Sequence, residues 1–584
     1  MDFEFSWPYP NTHLLHIEIN VSGAADDTLV FQLPVWRPGR YELGHFERNI
    51  KYLHFFSPSG EPLPFEKVSR NEWRVHLNGL NDFRIEYEYY AARMDAGSTY
   101  VSDAFTLINF VNCCLFPRSQ AARYRIRLSD AHSHLRIASP LPMDGPAHFT
   151  AESADHLFDN FLIASETLQQ HRFYHRGLEV FLWFQGPVHP PFYQMEEDFQ
   201  RFMDEALAIF GSFPIKQYHF LFIFPTYRKY HGVEHQEGTV IVLGPPHQIF
   251  ERRLGDRFYT YKQLLGISAH EFFHLWNVKA IRPEELYPID YSQENYTRLG
   301  FFLEGVTSYY GEVLLLRSGL LTFQSWARYF SRILNGFFAN YGRFNKSLAE
   351  SSFDLWVDGY RRHVPHRTTS IYTHGALVAF LIDISLRKVS HGAASLDTLM
   401  RYLYEEYAQQ NKGFPASALY DYLRRWGGDE TAAILDRYVF GREDIEPALA
   451  DALEVVGVRL EKTPRTDYAG KLGFQLSDTG VVTYIVPMGE AYQAGLAYDD
   501  RIVAVNGIEP RENDFAEWLN YCLPHHQAIE LAVMREGRLL SLSIPVSPTP
   551  QMFTYEAVPL DEGGPLKSSW LRSLVPDMKA DSLG

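Results

Sequence analysis

The segment YKQLLGISAHEFFHLWNV (residues 261–278) contains His270-Glu271-Phe272-Phe273-His274, an H-E-x-x-H pattern inside a helical run with no proline until Pro283. Histidines four apart project from one helix face, one turn apart. Their ring nitrogens can converge on one cation at about 2.0–2.1 Å, the distance of a zinc–imidazole bond. Glu271 follows the first histidine and lies beside such a cation, where a carboxylate can take a proton from water. Phe272, Phe273, Leu275 and Trp276 make the helix apolar, which predicts that it is buried. In a chain with 24 histidines the pattern alone decides little, because a solvated helix face is the competing reading.

A catalytic zinc site needs a third protein ligand and an open position. Downstream stands LEGVTSYY (303–310), again helical in pattern. A single acid in the apolar run GFFLEGV is costly to bury without a partner, and a metal would be that partner. Glu304 is therefore the expected third ligand, with a buried salt bridge as the alternative.

Outward from this centre the chain changes texture twice. Residues 1–165 alternate apolar and polar residues in HLLHIEINVSG, TLVFQLPVW, EWRVHLNGL and FRIEYEYYAA, with turn residues between, which predicts an antiparallel sandwich or open barrel. Residues 166–450 keep one or two strands, LEVFLWFQG and YHFLFIFP, and then become helical, with apolar spacings of three and four. Short strands return over 455–547, and 548–584 reads as an irregular tail or an irregular wrap over another domain. The expected class is a multidomain α+β protein.

Composition excludes several functions. A net charge of −17 repels phosphate backbones and argues against a nucleic-acid partner. No run of about 18 apolar residues predicts a membrane span. Three cysteines, Cys113, Cys114 and Cys522, are too few for a disulfide framework. The start MDFEFSWPYPNTHLLHIEIN lacks a basic-then-apolar leader, so a cytoplasmic location is expected.

HEFFHLWNVKAIRPEEL followed by LEGVTSYY resembles the glycyl aminopeptidase family of zinc metallopeptidases. LPVWRPGRY (33–41), HGVEH (231–235) and SIYTHGALVAFLIDISLR (370–387) extend the likeness, which spans nearly the whole chain. It implies an N-terminal β domain, a thermolysin-like catalytic domain with one Zn(2+) on two histidines and a glutamate, and a C-terminal PDZ domain. It further implies removal of N-terminal residues, glycine and alanine by preference, from peptides with a free amino terminus. HGVEH is similar to the glycine-rich edge strand of this clan: Gly232 would line the substrate, and Glu234 would hold its α-ammonium. An exposed loop acid is the alternative for Glu234. Tyr372, 68 residues past Glu304, stands where clan members place an oxyanion-binding tyrosine. Tyr309, Tyr310 and His374 are the substitutes should Tyr372 only be packed. Glu237, Gly238, Ala280 and His374 depart from the family pattern without removing a ligand. Leu472-Gly473-Phe474 resembles the carboxylate loop of PDZ domains, which implies either capture of peptide C-termini or a brace for the catalytic domain. A metallo-endopeptidase, an inactive peptide-binding scaffold and a non-peptidase zinc hydrolase remain as rivals.

Overall fold

The computed structural model describes residues 1–118, 123–250, 259–360, 364–510 and 514–572. The chain is a multidomain α+β protein, β-rich at its start and helical further on.

The first sheet has seven strands in the order Met143–Gly145, His148–Ala151, Tyr124–Leu128, Asp2–Ser6, Leu14–Val21, Phe83–Tyr90, Ile50–Phe56. Alternation works as expected: Phe3, Phe5, Leu15, Ile17 and Ile19 face inward while their neighbours meet solvent. One pairing, Asp2–Ser6 with Tyr124–Leu128, is parallel, where the alternation predicted only antiparallel neighbours. A four-stranded sheet built on Thr28–Gln32 and Glu72–His76 shares this core.

A third sheet joins the β-rich part to the rest. Its central strands, Thr106–Asn109 and Phe161–Ser165, are buried on both faces. Ile108, Leu162 and Ala164 enter the N-terminal core, whereas Leu107, Phe161 and Ile163 pack against the next sheet.

That next sheet has five strands, Gln169–His175, Leu178–Gln185, Gln217–Ile223, Gly238–Gly244 and Lys229–His235, in this spatial order. It is larger than the one or two strands expected, because KYHGVEH pairs antiparallel with Gly238–Gly244 over its full length and forms the edge. Helices cover its other face through a core that holds Phe199, Phe220, Phe272 and Trp276. Among the described residues no helix is long and apolar enough to cross a membrane.

After the helices, strand Val458–Pro464 pairs with Phe553–Pro559, and residues 465–552 form a loop-out unit between them with its own core. The segment from 548 onward wraps over the helical part, one of the two expected readings, but it is not irregular throughout: Phe553–Pro559 is a strand and Lys567–Trp570 a short helix. Residues 573–584 lie outside the described set. Trp570 is fully buried, its indole N–H donating to the Tyr309 hydroxyl at 2.7 Å. Arg317 and Arg387 donate to the Trp570 and Ser569 carbonyls. A polar residue pattern hides this docking, since one indole among loop residues carries no periodicity. Trp570→Ala is expected to cost about 3–5 kcal/mol, the range for emptying a buried aromatic site. A fall in the thermal unfolding midpoint measures it, and an unchanged midpoint would show the segment to be unattached.

Leu472 and Phe474 are buried in the core of the loop-out unit, and Gly473 adopts φ 78°. The amides of Lys471 and Gly473 already donate to the carbonyls of Asp467 and Ala469. Those two N–H groups are therefore committed within the chain.

Candidate metal centre and substrate cleft

Helix Tyr259–Phe273 carries the motif and is buried on nearly every side, as its phenylalanines require. The facing segment Phe301–Val306 forms a π-helical turn that runs into helix Thr307–Arg317. A π-turn widens the backbone by one residue per bond and often marks a functional site. Gly305 lies against Gly375, where any β-carbon would overlap the backbone of helix Thr373–Val389. These contacts bring Glu304 inward to 2% exposure.

His270 Nε2 and His274 Nε2 are 3.1 Å apart, and Glu304 Oε2 lies 3.7 and 3.6 Å from them. Three corners of a tetrahedron with bonds of 2.0–2.1 Å are about 3.3–3.4 Å apart. The donor set therefore fits one tetrahedral cation with little adjustment. His274 Nδ1–H donates to the Asn277 carbonyl at 2.8 Å, which leaves Nε2 free to ligate. The Asn277 side chain donates to the Phe302 and Leu303 carbonyls and to Thr307 Oγ1, at 3.0–3.2 Å. Asn277 thus ties the histidine segment to the glutamate segment. It was not singled out from the sequence, and the one available signal is its place three residues after the second histidine.

The electrostatics agree. Burial would raise the Glu304 carboxyl, but the two neighbouring imidazoles outweigh it and hold the group well below its ordinary value. Burial would lower His274, yet the nearby Glu304 carboxylate raises it. In the absence of metal a proton therefore sits beside Glu304, in the position of a positive charge that a divalent cation would replace.

Glu271 is 5% exposed, and burial pushes its carboxyl up, against the pull of His274 and with Glu234 and Glu304 adding to the rise. Its Oε2 has no hydrogen-bond partner among the described residues. The edge strand passes directly over it: a β-carbon on Gly232 would overlap the Glu271 carboxylate. Glu234, two residues on, is also 5% exposed, with Oε1 unpartnered, so it is not an exposed loop acid.

The β-rich part closes this end of the cleft. Trp36 N–H donates to the Asp290 carbonyl and the Val35 amide to the Tyr291 carbonyl, which seats LPVWRPGRY on the helical part. The loop delivers Arg37, Gly39 and Arg40 to the cleft wall. Gly39 abuts the Glu234 carboxylate so closely that any side chain would collide with it. Arg37 is buried, and its guanidinium lies within the fields of Glu234 and Asp95.

Tyr372 lines the same cleft beside Tyr360, a second cleft tyrosine absent from the sequence-based set. The substitutes lie elsewhere. Tyr309 and Tyr310 donate to Asp383 and Asp397 at 2.6 and 2.8 Å, and His374 packs on Phe337. The whole cleft encloses about 320 Å³. His270, His274, Glu304, Glu271, Gly232, Glu234 and Tyr372 all line it, whereas Leu472, Gly473 and Phe474 belong to the separate C-terminal unit.

Comparison with known proteins agrees with this arrangement. Residues 263–378 match the model of the M61 glycyl aminopeptidase family, and residues 2–166 match the peptidase M61 N-terminal domain. An aminopeptidase N family protein from Idiomarina loihiensis shares the fold at a TM-score of 0.89 and 22% identity, over 98% of this chain and 100% of that one. An M1 zinc metallopeptidase from Deinococcus radiodurans, bound to Tyr-Ser-Ala, is a distant likeness at 14% identity and TM-score 0.45, over 76% of this chain and 94% of that one. No curated protein matches the sequence. With both family models matched in chain order around this cleft, the chain belongs to the M61 glycyl aminopeptidases, a family of peptidases.

Proposed function

We propose that this chain is a zinc-dependent aminopeptidase acting on peptides with a free N-terminus. One observation carries the reading: a donor triad with tetrahedral spacing shares a cleft with the buried Glu234 carboxylate, whose Oε1 has no hydrogen-bond partner among the described residues. His270, His274 and Glu304 would hold a single Zn(2+). When bound, the ion would polarise the scissile carbonyl and acidify water.

The remaining roles fall to side chains of the cleft. Glu234 takes the substrate ammonium, because a buried carboxylate oxygen without a hydrogen bond gains most from a cation that brings its own donors. Glu271 accepts the proton of the attacking water and returns it to the leaving amine. A positive charge nearby would draw its carboxyl back down from the raised value that burial imposes. Tyr372 donates to the developing oxyanion. Gly39 and Arg37 stand where residues before the scissile one would have to run, which supports an exopeptidase over an endopeptidase. The same wall leaves little depth for a first side chain, consistent with the glycine and alanine preference implied by the resemblance.

Within this reading residues 166–450 are a thermolysin-like catalytic domain behind the N-terminal β domain of 1–165. The unit at 455–547 is PDZ-like and serves as a brace rather than a receptor for peptide C-termini, since amides of its loop are engaged internally.

Glu234→Ala is expected to lower kcat/KM for free-amine peptides by at least about 30-fold, the lower end for removing one partner of a buried charge pair. Hydrolysis of N-acetylated analogues should remain at its low level. Equal loss on both substrate types would refute the amine anchor.

A further inference from the structure

Beyond Glu271 the cleft continues away from Glu234 into a recess that the mechanism above does not use. Two glycines open it. Gly311 lies against His270, with room for little more than contact at 3.2 Å from its β-carbon. Gly266, one turn before His270, leaves its helix face bare, and Glu312 Oε1 lies 3.5 Å from where a β-carbon would be. Ile267 and the rings of Tyr230 and Tyr329 form the walls, and Ser308 stands at the entrance. Tyr329 and Glu312 line the recess together, and the tyrosine hydroxyl favours the charged form of the Glu312 carboxyl. The charge of Lys262 favours the ionised form of Glu312, and Arg328 acts in turn on Lys262. Burial, opposed by Tyr329 and Lys262, pushes the Glu312 carboxyl up to about 7.

The position of the recess along the substrate follows from the edge strand. Gly232 is abreast of Glu271, Glu234 lies two residues to one side and Tyr230 two residues to the other. A strand advances about 3.3 Å per residue, so Tyr230 lies roughly 6–7 Å beyond Gly232. With the ammonium on Glu234 and the scissile bond beside Glu271, the first residue of the leaving peptide projects toward Tyr230 and Glu312.

Resting on the aminopeptidase reading, we propose that this recess binds the side chain of the residue after the scissile bond and selects a cationic one, lysine or arginine. The chemistry matches along its length. An aliphatic stem packs on Ile267 and the tyrosine rings, and the charged head reaches Glu312 at the closed end. A neutral polar side chain would bring no charge to the carboxylate, and an acidic one would be repelled.

The test compares Ala-Lys-Ala with Ala-Glu-Ala on the zinc-loaded full chain. The wild type should favour Ala-Lys-Ala by at least about tenfold in kcat/KM, as one well-placed contact of about 1–3 kcal/mol provides. Glu312→Gln should bring the ratio close to one. Both rates come from one preparation, so loss of folded or metal-loaded protein cancels. As a measurement on the wild type alone, the product dipeptide Lys-Ala should inhibit at least about tenfold more strongly than Glu-Ala. Equal rates on the two tripeptides in the wild type, a ratio that survives Glu312→Gln, or equal inhibition by the dipeptides would each overturn the assignment. Failure of the aminopeptidase reading itself looks different: no release of alanine from either tripeptide.

Discussion

Glu271→Gln is expected to retain one zinc per chain and to lose at least about 10³-fold in kcat. The glutamine fits the same space under the edge strand, where Gly232 leaves no slack. It cannot accept the proton of the attacking water or return it to the leaving amine, and a positioned acid–base group contributes about 10²–10⁴-fold. Because Glu271 is not part of the triad at 3.1–3.7 Å, its loss should spare metal content. Metal analysis of the dialysed protein, together with initial rates on alanyl peptides, checks both halves. Residual activity above about a tenth of the wild type would assign the proton transfers to another group.

Glu304→Gln should have the opposite signature, with metal lost before chemistry is reached. The carboxylate is 2% exposed, and in the absence of metal its charge is balanced only by the two imidazoles. The amide removes the one anionic ligand from a site whose other donors are neutral nitrogens. Zinc affinity should drop by more than about 100-fold, since losing even an outer partner of a ligand costs 10–100-fold. Competition with a chromogenic chelator measures this without reference to activity. Unchanged affinity would remove Glu304 from the ligand set. Folding should suffer less than the burial suggests, because the amide can still bond to an imidazole.

The triad was legible in the sequence because both of its parts are local. His270 and His274 share a helix face by periodicity, and Glu304 is conspicuous as an acid among phenylalanine, leucine and glycine. Glu234 and Tyr372 were reachable only through resemblance to a family, since nothing in their local patterns separates them from other acids and tyrosines. Arg37, Tyr360, Asn277 and Glu312 were not found. Arg37 comes from another domain, more than 230 residues before the motif, and Glu312 reads as one more polar position on a helix.

From residue order alone came the helical setting of the two histidines, the alternation that fills the N-terminal core, and the burial of the motif helix. Each follows from a repeat of 2 or 3.6 residues acting over one element. Packing alone decided the rest. Gly232 and Gly39 let two backbones close on Glu271 and Glu234, Gly305 against Gly375 fixes the depth of Glu304, and Trp570 reaches back into the helical core. Those outcomes depend on excluded volume between segments far apart in the chain, which no local period encodes.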